Sequence, residues 1–399
     1  MLADLPIFAI CGRSGSGKTT LLEALLARLR TSGLAVAVAK FHAHRIDVDR
    51  PGKDSDRLFR AGADVFLDGP HEGFSRTLPA GRAPALTLAN LCLRCDLVLV
   101  EGRKPLPCAK VWLLGSGERR APREFADALA TLSRDADRAE ITWGILQRWL
   151  PAQWRQPPVY GCVLIGGRST RMGRPKHLLV RGGKTWLART VAQLAGVAQR
   201  VAIVGEGALP RGLDGVTRLP DAPGLRGPLA GILAAMRWAP WATWLVAACD
   251  MPNVSQEALA WLLSTRRPGV WATLPRGPGR RGVEPLLAHY DFRARGLLED
   301  LAAEGKSAPS LLAGHPKVLA PVVPADLRAA WENVNTPAEL ARRRSSQENL
   351  CGTAGLSSRG KHRATPPRLD KPAVPHSLIR SRAAAPSLAP PPRNRPARG

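Results

Sequence analysis

No apolar run in this sequence approaches the roughly 18 residues needed to cross a bilayer. The opening residues, Met-Leu-Ala-Asp-Leu-Pro, lack the basic stretch of a secretory signal. Membrane and secreted classes therefore drop out, and a cytoplasmic protein is expected. Cysteine is sparse and unframed: seven residues at 11, 92, 95, 108, 162, 249 and 351, an odd set that argues for a reducing compartment rather than a disulfide scaffold. Cys92 and Cys95 are the one pair with metal-like spacing; no second pair follows, so no zinc or redox centre is expected there. Acidic residues are few, 32 Asp and Glu against 58 Lys and Arg, for a net charge of +26. That excess would suit a polyanionic partner. The aromatic-interleaved basic stripe of a nucleic-acid binder is missing, however, so nucleic acid is not the expected partner. Much of the excess lies in residues 342–399, where thirteen Lys/Arg face only Glu348 and Asp370. This Pro-, Ser-, Ala- and Arg-rich stretch has no periodicity and reads as a disordered basic tail.

The remainder is long enough for two α/β domains, and 45% hydrophobic residues is ordinary for a globular protein. The first domain is placed at residues 1–150. Ile7 to Cys11 reads as a strand, Leu21 to Leu29 as a helix, and between them stands Gly12-Arg-Ser-Gly15-Ser-Gly17-Lys18-Thr19-Thr20. That is G-x-x-x-x-G-K-T in the strand–loop–helix setting of a phosphate-binding P-loop. Its N–H groups cradle phosphates, Lys18 reaches the β/γ-phosphates and Thr19 can ligate Mg²⁺. Leu34 to Ala39 predicts a second strand after a helix stop at Gly33. A polar stretch with His42, His44, Asp47, Asp49, Lys53, Asp54 and Ser55 follows, in which a solvated loop and a metal site both stay open. Asp96 to Val100 predicts a strand ending at Glu101, where a carboxylate would lie beside Mg²⁺ or the attacking water; ion pairing with Arg103 or Lys104 is the alternative. Val111 to Leu114 predicts another strand, and Pro122 to Leu132 a helix. Residues 147–158 hold three prolines without periodicity, so the domain boundary is placed there.

The second domain, residues 158–341, opens on the strand Cys162 to Ile165 and runs into Gly166-Gly167-Arg168-Ser-Thr-Arg171-Met-Gly-Arg-Pro175-Lys176. Strand-end glycines let the backbone approach a ligand, and Arg168, Arg171 and Lys176 put positive charge where a triphosphate would lie. Thr185 to Leu194 predicts a helix and Val201 to Val204 a strand, which closes on Gly205-Glu206-Gly207. A Pro/Gly loop with Asp221 then feeds the helix Leu229 to Met236 through Gly227-Pro228. Trp244 to Cys249 is a buried strand stopped by Asp250-Met-Pro252. An aspartate at the carboxyl end of a core strand sits in the crevice where ligands bind, and its oxygens suit Mg²⁺. Trp331-Glu-Asn333-Val-Asn335-Thr336-Pro337 closes the domain, with Thr336 and Pro337 reading as a helix start.

These motifs carry two resemblances. The order P-loop, Lys40-x-x-x-His44, Asp49 to Ser55, Ala61-Gly-Ala63 and Asp96 to Gly102 resembles the molybdopterin-guanine dinucleotide biosynthesis adaptor (MobB), a GTP-binding P-loop protein. The Gly-Gly…Arg-Met-Gly…Pro-Lys loop, Gly227-Pro-Leu-Ala-Gly231, Cys249-Asp250-x-Pro252 and Asn333-x-Asn335-Thr-Pro resemble molybdenum cofactor guanylyltransferase (MobA). Together they imply two doubly wound three-layer α/β domains, P-loop NTPase-like and then Rossmann-like. They also imply transfer of GMP from GTP to molybdopterin with release of pyrophosphate. By the transferase resemblance Leu164, Ile165, Gly166, Gly167, Lys176, Asp221 and Asp250 bind nucleotide; Lys176, Arg171 and Asp250 act on the phosphates, Asp250 with Mg²⁺; Asn333 and Asn335 hold the acceptor; and Val283 to Leu286 forms a strand near it. By the adaptor resemblance Gly12, Gly15, Gly17, Lys18, Thr19 and Thr20 bind GTP, Thr19 and Glu101 hold Mg²⁺, hydrolysis is weak or nil, and the domain delivers nucleotide or cofactor. The resemblance further implies molybdenum-insertion proteins and molybdoenzyme chaperones as partners. The chain departs from the transferase pattern at Ile165, Pro175 and Gly205. The Pro-Lys form is shared with sibling cytidylyltransferases, whereas Gly167 favours guanine. A CTP-dependent enzyme and a non-catalytic nucleotide-binding adaptor are the alternative readings.

Overall fold

The computed structural model describes residues 2–41, 49–77, 84–102, 105–166, 175–277 and 282–333, all within one compact unit, Met1–Arg343. His42, His44, Asp47, Arg103, Lys104, Gly167, Arg168, Arg171, Asn335, Thr336, Pro337 and the tail lie outside the described residues. None of the described helices is long and apolar enough to cross a membrane.

In chain order the first half contains β1 (Ile7–Gly12), α1 (Lys18–Thr31), β2 (Val36–Lys40), α2 (Asp54–Arg60), the hairpin β3 (Val65–Asp68) and β4 (Gly73–Arg76), α3 (Pro84–Cys92), β5 (Leu97–Gly102), β6 (Ala109–Leu113), β7 (Ala130–Leu132) and α4 (Arg138–Trp154). Five strands make one parallel sheet in the order β2-β5-β1-β6-β7. β1 is buried along its whole length, which is why it reads as an unbroken apolar run: a parallel strand covered on both faces shows no alternation. α1 buries Leu21, Leu22, Leu25 and Leu29, the spacing of a helix laid on a sheet. It packs on one face with α4, and α3 packs on the other. Gly33 ends α1 with φ 72°, and its N–H bonds Arg30 O at 2.9 Å, the helix stop expected of it.

The second half contains β8 (Val159–Leu164), the short pair β9 (Val180–Arg181) and β10 (Lys184–Thr185), α5 (Trp186–Ala195), β11 (Arg200–Val204), β12 (Thr217–Leu219), α6 (Pro228–Trp238), β13 (Thr243–Ala248), α7 (Gln256–Ser264), β14 (Ala272–Thr273), β15 (Leu287–Tyr290), α8 (Ala294–Ala303) and β16 (Val318–Leu319). Its sheet runs β12-β11-β8-β13-β15-β14-β16, parallel except that β15 is antiparallel to both neighbours. α5 covers one face and α6 the other. The chain therefore leaves β8 toward β11 on one side and returns to β13 on the other. That reversal opens a crevice at the carboxyl end of β8, where ligands bind in open α/β sheets. Thr185 caps α5 by accepting from Ala188 N at 3.2 Å, and Ser255 caps α7 by accepting from Ala258 N at 3.3 Å.

Three expectations are corrected. Pro122 to Leu132 is no helix: it holds a 3₁₀ turn, Arg123–Phe125, and then β7. Phe125 is pulled under Trp112, ring centroids 4.5 Å apart, and Leu132 extends the sheet beside Leu113, so tertiary packing overrides local helix preference. Residues 147–154 are not irregular. α4 continues through Pro151 to Trp154 because Leu150, Gln153 and Trp154 keep burying its inner stripe. Val283 to Leu286 is not a strand but the turn leading into β15, consistent with Pro285 having no N–H to give a ladder.

Candidate functional site

A cleft of about 370 Å³ lies in the second half at the carboxyl ends of β8 and β13. Leu164, Ile165, Gly166, Lys176, Asp221, Gly227, Pro228, Gly231, Asp250 and Leu286 are among its walls, in the size range of small-molecule sites. Two chain segments 74 positions apart meet across it, with Lys176 Nζ 3.3 Å from Asp250 Oδ2. The other oxygen of that carboxylate, Oδ1, is buried and makes no hydrogen bond among the described residues. A buried oxygen without a donor is costly unless a ligand meets it. Mg²⁺ takes carboxylate and phosphate oxygens, so the residue fits that ion.

Each wall has a local cause. Gly166 turns out of β8 at φ 100°. Gly205, at φ 112°, ends β11 so close to the β8 loop that an added Cβ would stand 2.2 Å from the Ile165 carbonyl oxygen. A side chain at that position would collide with the β8 loop. At Gly231, in the first turns of α6, a Cβ would lie 2.6 Å from Leu164 Cδ2 and 3.3 Å from Asp221 Oδ1, so the helix closes on both. Partial desolvation, then the charge of Glu206, holds the Asp221 carboxyl above the usual carboxylate range. No sequence motif marks His177. Its ring is buried, its Nε2 lies 2.9 Å from Ala208 O, and it packs on Gly207, so it anchors the Lys176 loop to the loop after β11. Cys249 is a nearly buried part of the cleft wall, its thiol pushed up to about 12 by burial first and by Asp250 next, with Lys176 opposing. It stays a neutral thiol. At about pH 8.5, where an exposed thiol is half ionised, iodoacetamide is expected to leave Cys249 unmodified. Mass spectrometry of the treated protein checks this, and rapid alkylation there would contradict the burial described.

The structure does not put Asn333 among the described cleft residues. It follows Trp331, whose indole donates to Leu287 O at 2.9 Å, next to the cleft residue Leu286.

A second site lies at the carboxyl end of β1. Gly15 and Gly17 take φ 71° and 85°, curling the loop so that Lys18 Nζ donates back to Arg13 O at 2.7 Å. Thr20 follows in the first turn of α1. A Cβ at Gly12 would meet Ser16 Oγ at 2.5 Å and Leu113 O at 2.8 Å. Thr19 Oγ1 lies 3.3 Å from Glu101 Oε1, a hydroxyl–carboxylate pair suited to Mg²⁺. Among the described residues Glu101 pairs with Lys40, at 3.2 Å, its register partner across β2 and β5. Asp49 and Ser55 bond each other at 2.9 Å, and Asp49 and Asp56 both bind Arg76 on the hairpin at 3.0 Å, so this part of the polar stretch ties α2 to β4. No cluster of three or more metal-ligating side chains occurs among the described residues, Cys92 and Cys95 included. Arg138 was invisible in the sequence. Its guanidinium donates to Ser16 O at 2.6 Å, Leu114 O at 2.7 Å and Ser133 O at 2.6 Å, bracing the P-loop from behind.

Comparison with known proteins divides the chain at the same two sites. The family described as MobA-like NTP transferase domain matches residues 161–319. Molybdopterin guanine dinucleotide synthesis protein B matches residues 7–133. A probable molybdenum cofactor guanylyltransferase of Pelotomaculum thermopropionicum is 34% identical over 197 residues, 47% of this chain and 93% of its own length. The molybdopterin-guanine dinucleotide biosynthesis adapter protein of Escherichia coli is 35% identical over 126 residues, 30% of this chain and 72% of its own. The crystal structure of molybdopterin-guanine dinucleotide biosynthesis protein A from Archaeoglobus fulgidus is 25% identical, spans 49% of this chain and 99% of that one, and superposes with a TM-score of 0.40.

Proposed function

Because the chain belongs to the molybdenum cofactor guanylyltransferase family in its second half and to the molybdopterin-guanine dinucleotide adapter family in its first, we propose that this nucleotidyltransferase moves GMP from GTP to molybdopterin and releases pyrophosphate, with a GTP-binding P-loop domain in the same chain. The observation that carries the reading is the Lys176–Asp250 pair facing across the cleft at the end of β8.

In such a transfer the terminal phosphate of the acceptor attacks the α-phosphorus, and the bond to the leaving pyrophosphate breaks. Negative charge grows on the α oxygens and the leaving group. The ammonium of Lys176 and the backbone at Gly166 stabilise that charge where water is held back. The amino end of α6, at Gly227 and Pro228, adds the positive end of a helix dipole toward the same cleft. Asp221 sits where base or ribose donors would meet an acceptor. Mg²⁺, when bound by Asp250, would neutralise and align phosphate oxygens. In the first domain the P-loop holds the phosphates of GTP, and Thr19 with Glu101 would hold its Mg²⁺. The roles of Gly167, Arg171 and Asn335 are proposed on the resemblance alone, as is that of Asn333 toward the acceptor.

The test follows pyrophosphate release by the full-length chain with Mg²⁺ and molybdopterin, using GTP and CTP separately. Release with GTP is the expected result. Release with CTP alone would overturn the guanylyl reading, and release with neither, from protein that binds nucleotide, would overturn the enzyme reading. For the first domain, Lys18→Ala removes a charged phosphate contact of about 1.5–3 kcal/mol. GTP affinity at the P-loop is expected to fall roughly 10- to 100-fold. Equilibrium dialysis checks this, and wild-type affinity at that site would refute the assignment.

A further inference from the structure

The contacts between the two sheets form a pattern that neither half explains alone. Asp96, at the amino end of β5, accepts from Trp271 Nε1 at 2.6 Å and from Lys317 Nζ. Lys317 also donates to Gly33 O at 2.7 Å. Arg293 donates to the neighbouring Cys95 O at 2.9 Å, pairs with Asp291 at 2.7 Å and stacks on Trp154, 4.0 Å from the ring centre. Trp241 packs among the core residues of the first sheet, and Ala35 among those of the second. Cys95 and Asp96 precede β5; Gly33 and Ala35 precede β2; Trp154 ends α4 just before β8; Trp241 precedes β13; Trp271 precedes β14 and Lys317 precedes β16; Arg293 follows the antiparallel β15. Every one of these residues therefore lies at the amino-terminal edge of its sheet's parallel strands. Both phosphate sites lie at the carboxyl-terminal edges.

The geometry points to two mutually insulated nucleotide sites in one chain: GTP bound at the P-loop is not handed to the transferase cleft but reaches it only through solvent. The two halves meet base to base, so a transferred nucleotide would have to travel the length of β1 and then of β13. Each is six residues long, or about 17–20 Å at roughly 3.3 Å per residue. The sites thus stand more than about 30 Å apart, and the intervening volume is filled by the two cores and by a buried-charge junction. Fusion in this arrangement fixes the ratio of the two domains without joining their sites by a channel. This inference rests on the proposed reading that both sites take GTP.

The experiment uses the wild-type full-length chain. Protein saturated with GTP, with binding counted by equilibrium dialysis, is mixed with Mg²⁺, molybdopterin and an excess of an enzyme that destroys free GTP. Insulated sites yield no more than one guanine dinucleotide per chain, from the GTP already in the cleft. A yield approaching two per chain would show hand-over and overturn the proposal. Fewer than two GTP bound per chain at saturation, or no product when the scavenger is left out, would overturn the two-site reading itself and the inference with it.

Discussion

Asp250→Ala is expected to lower pyrophosphate release about 10²- to 10³-fold while leaving the fold intact. The magnitude is that of removing one preorganised group aimed at charge that develops in the transition state. The structure gives two reasons to place this residue so high. One of its oxygens lies 3.3 Å from Lys176 Nζ, and the other is buried without a donor. Removing the carboxylate therefore removes a phosphate-facing ligand and also releases the lysine that is to meet the same phosphates. The stability cost should be small, because the side chains of Lys176 and Asp250 keep 18% and 25% exposure and partly solvated pairs contribute about 1 kcal/mol or less. Steady-state kinetics beside a thermal melt separates the two effects. Turnover within tenfold of wild type in a folded variant would remove Asp250 from the mechanism.

Asp96→Ala is expected to destabilise the protein by about 3–5 kcal/mol, the usual cost of stripping one partner from a buried ion pair. The side chain of Asp96 is fully buried and that of Lys317 nearly so, so solvent screening does not dilute the effect. The variant leaves the Lys317 ammonium with only the Gly33 carbonyl and the Trp271 indole N–H without its acceptor, and it frees Ala35 N, which donates to the same carboxylate at 2.6 Å. Since the junction lies at the far ends of both sheets from the two candidate sites, turnover of the folded fraction should stay near wild type. Urea unfolding of the full-length chain measures the loss. A change under about 1 kcal/mol would mean that the junction contributes little to holding the halves together.

Both sites were legible in the sequence as far as they are contiguous. The P-loop, the strand-end Gly166 and the aspartate closing β13 each follow a buried strand, and an unbroken apolar run ending in glycine or in Asp-x-Pro shows itself without a fold. The stop at Gly33 is a local hydrogen-bonding choice and was equally readable. Residues that act by meeting a distant partner were not. Arg138 reaches Ser16 across 122 positions, and His177 meets Ala208 across 31. Among the described residues Glu101 meets Lys40 on a neighbouring strand. The run 122–132 has the composition of a helix but was claimed by the sheet edge and by Trp112.

The sequence by itself determined the two α/β halves, their glycine-rich loops and the acidic residues at the strand ends, because short-range backbone chemistry and hydrophobic periodicity specify these one segment at a time. Only the tertiary structure decided that Lys176 faces Asp250, that Gly205 leaves no room for a side chain, and that the halves join at Asp96 with their sites pointing apart. Those features depend on strand order and on contacts between residues dozens to hundreds of positions apart, which packing selects and no local pattern encodes.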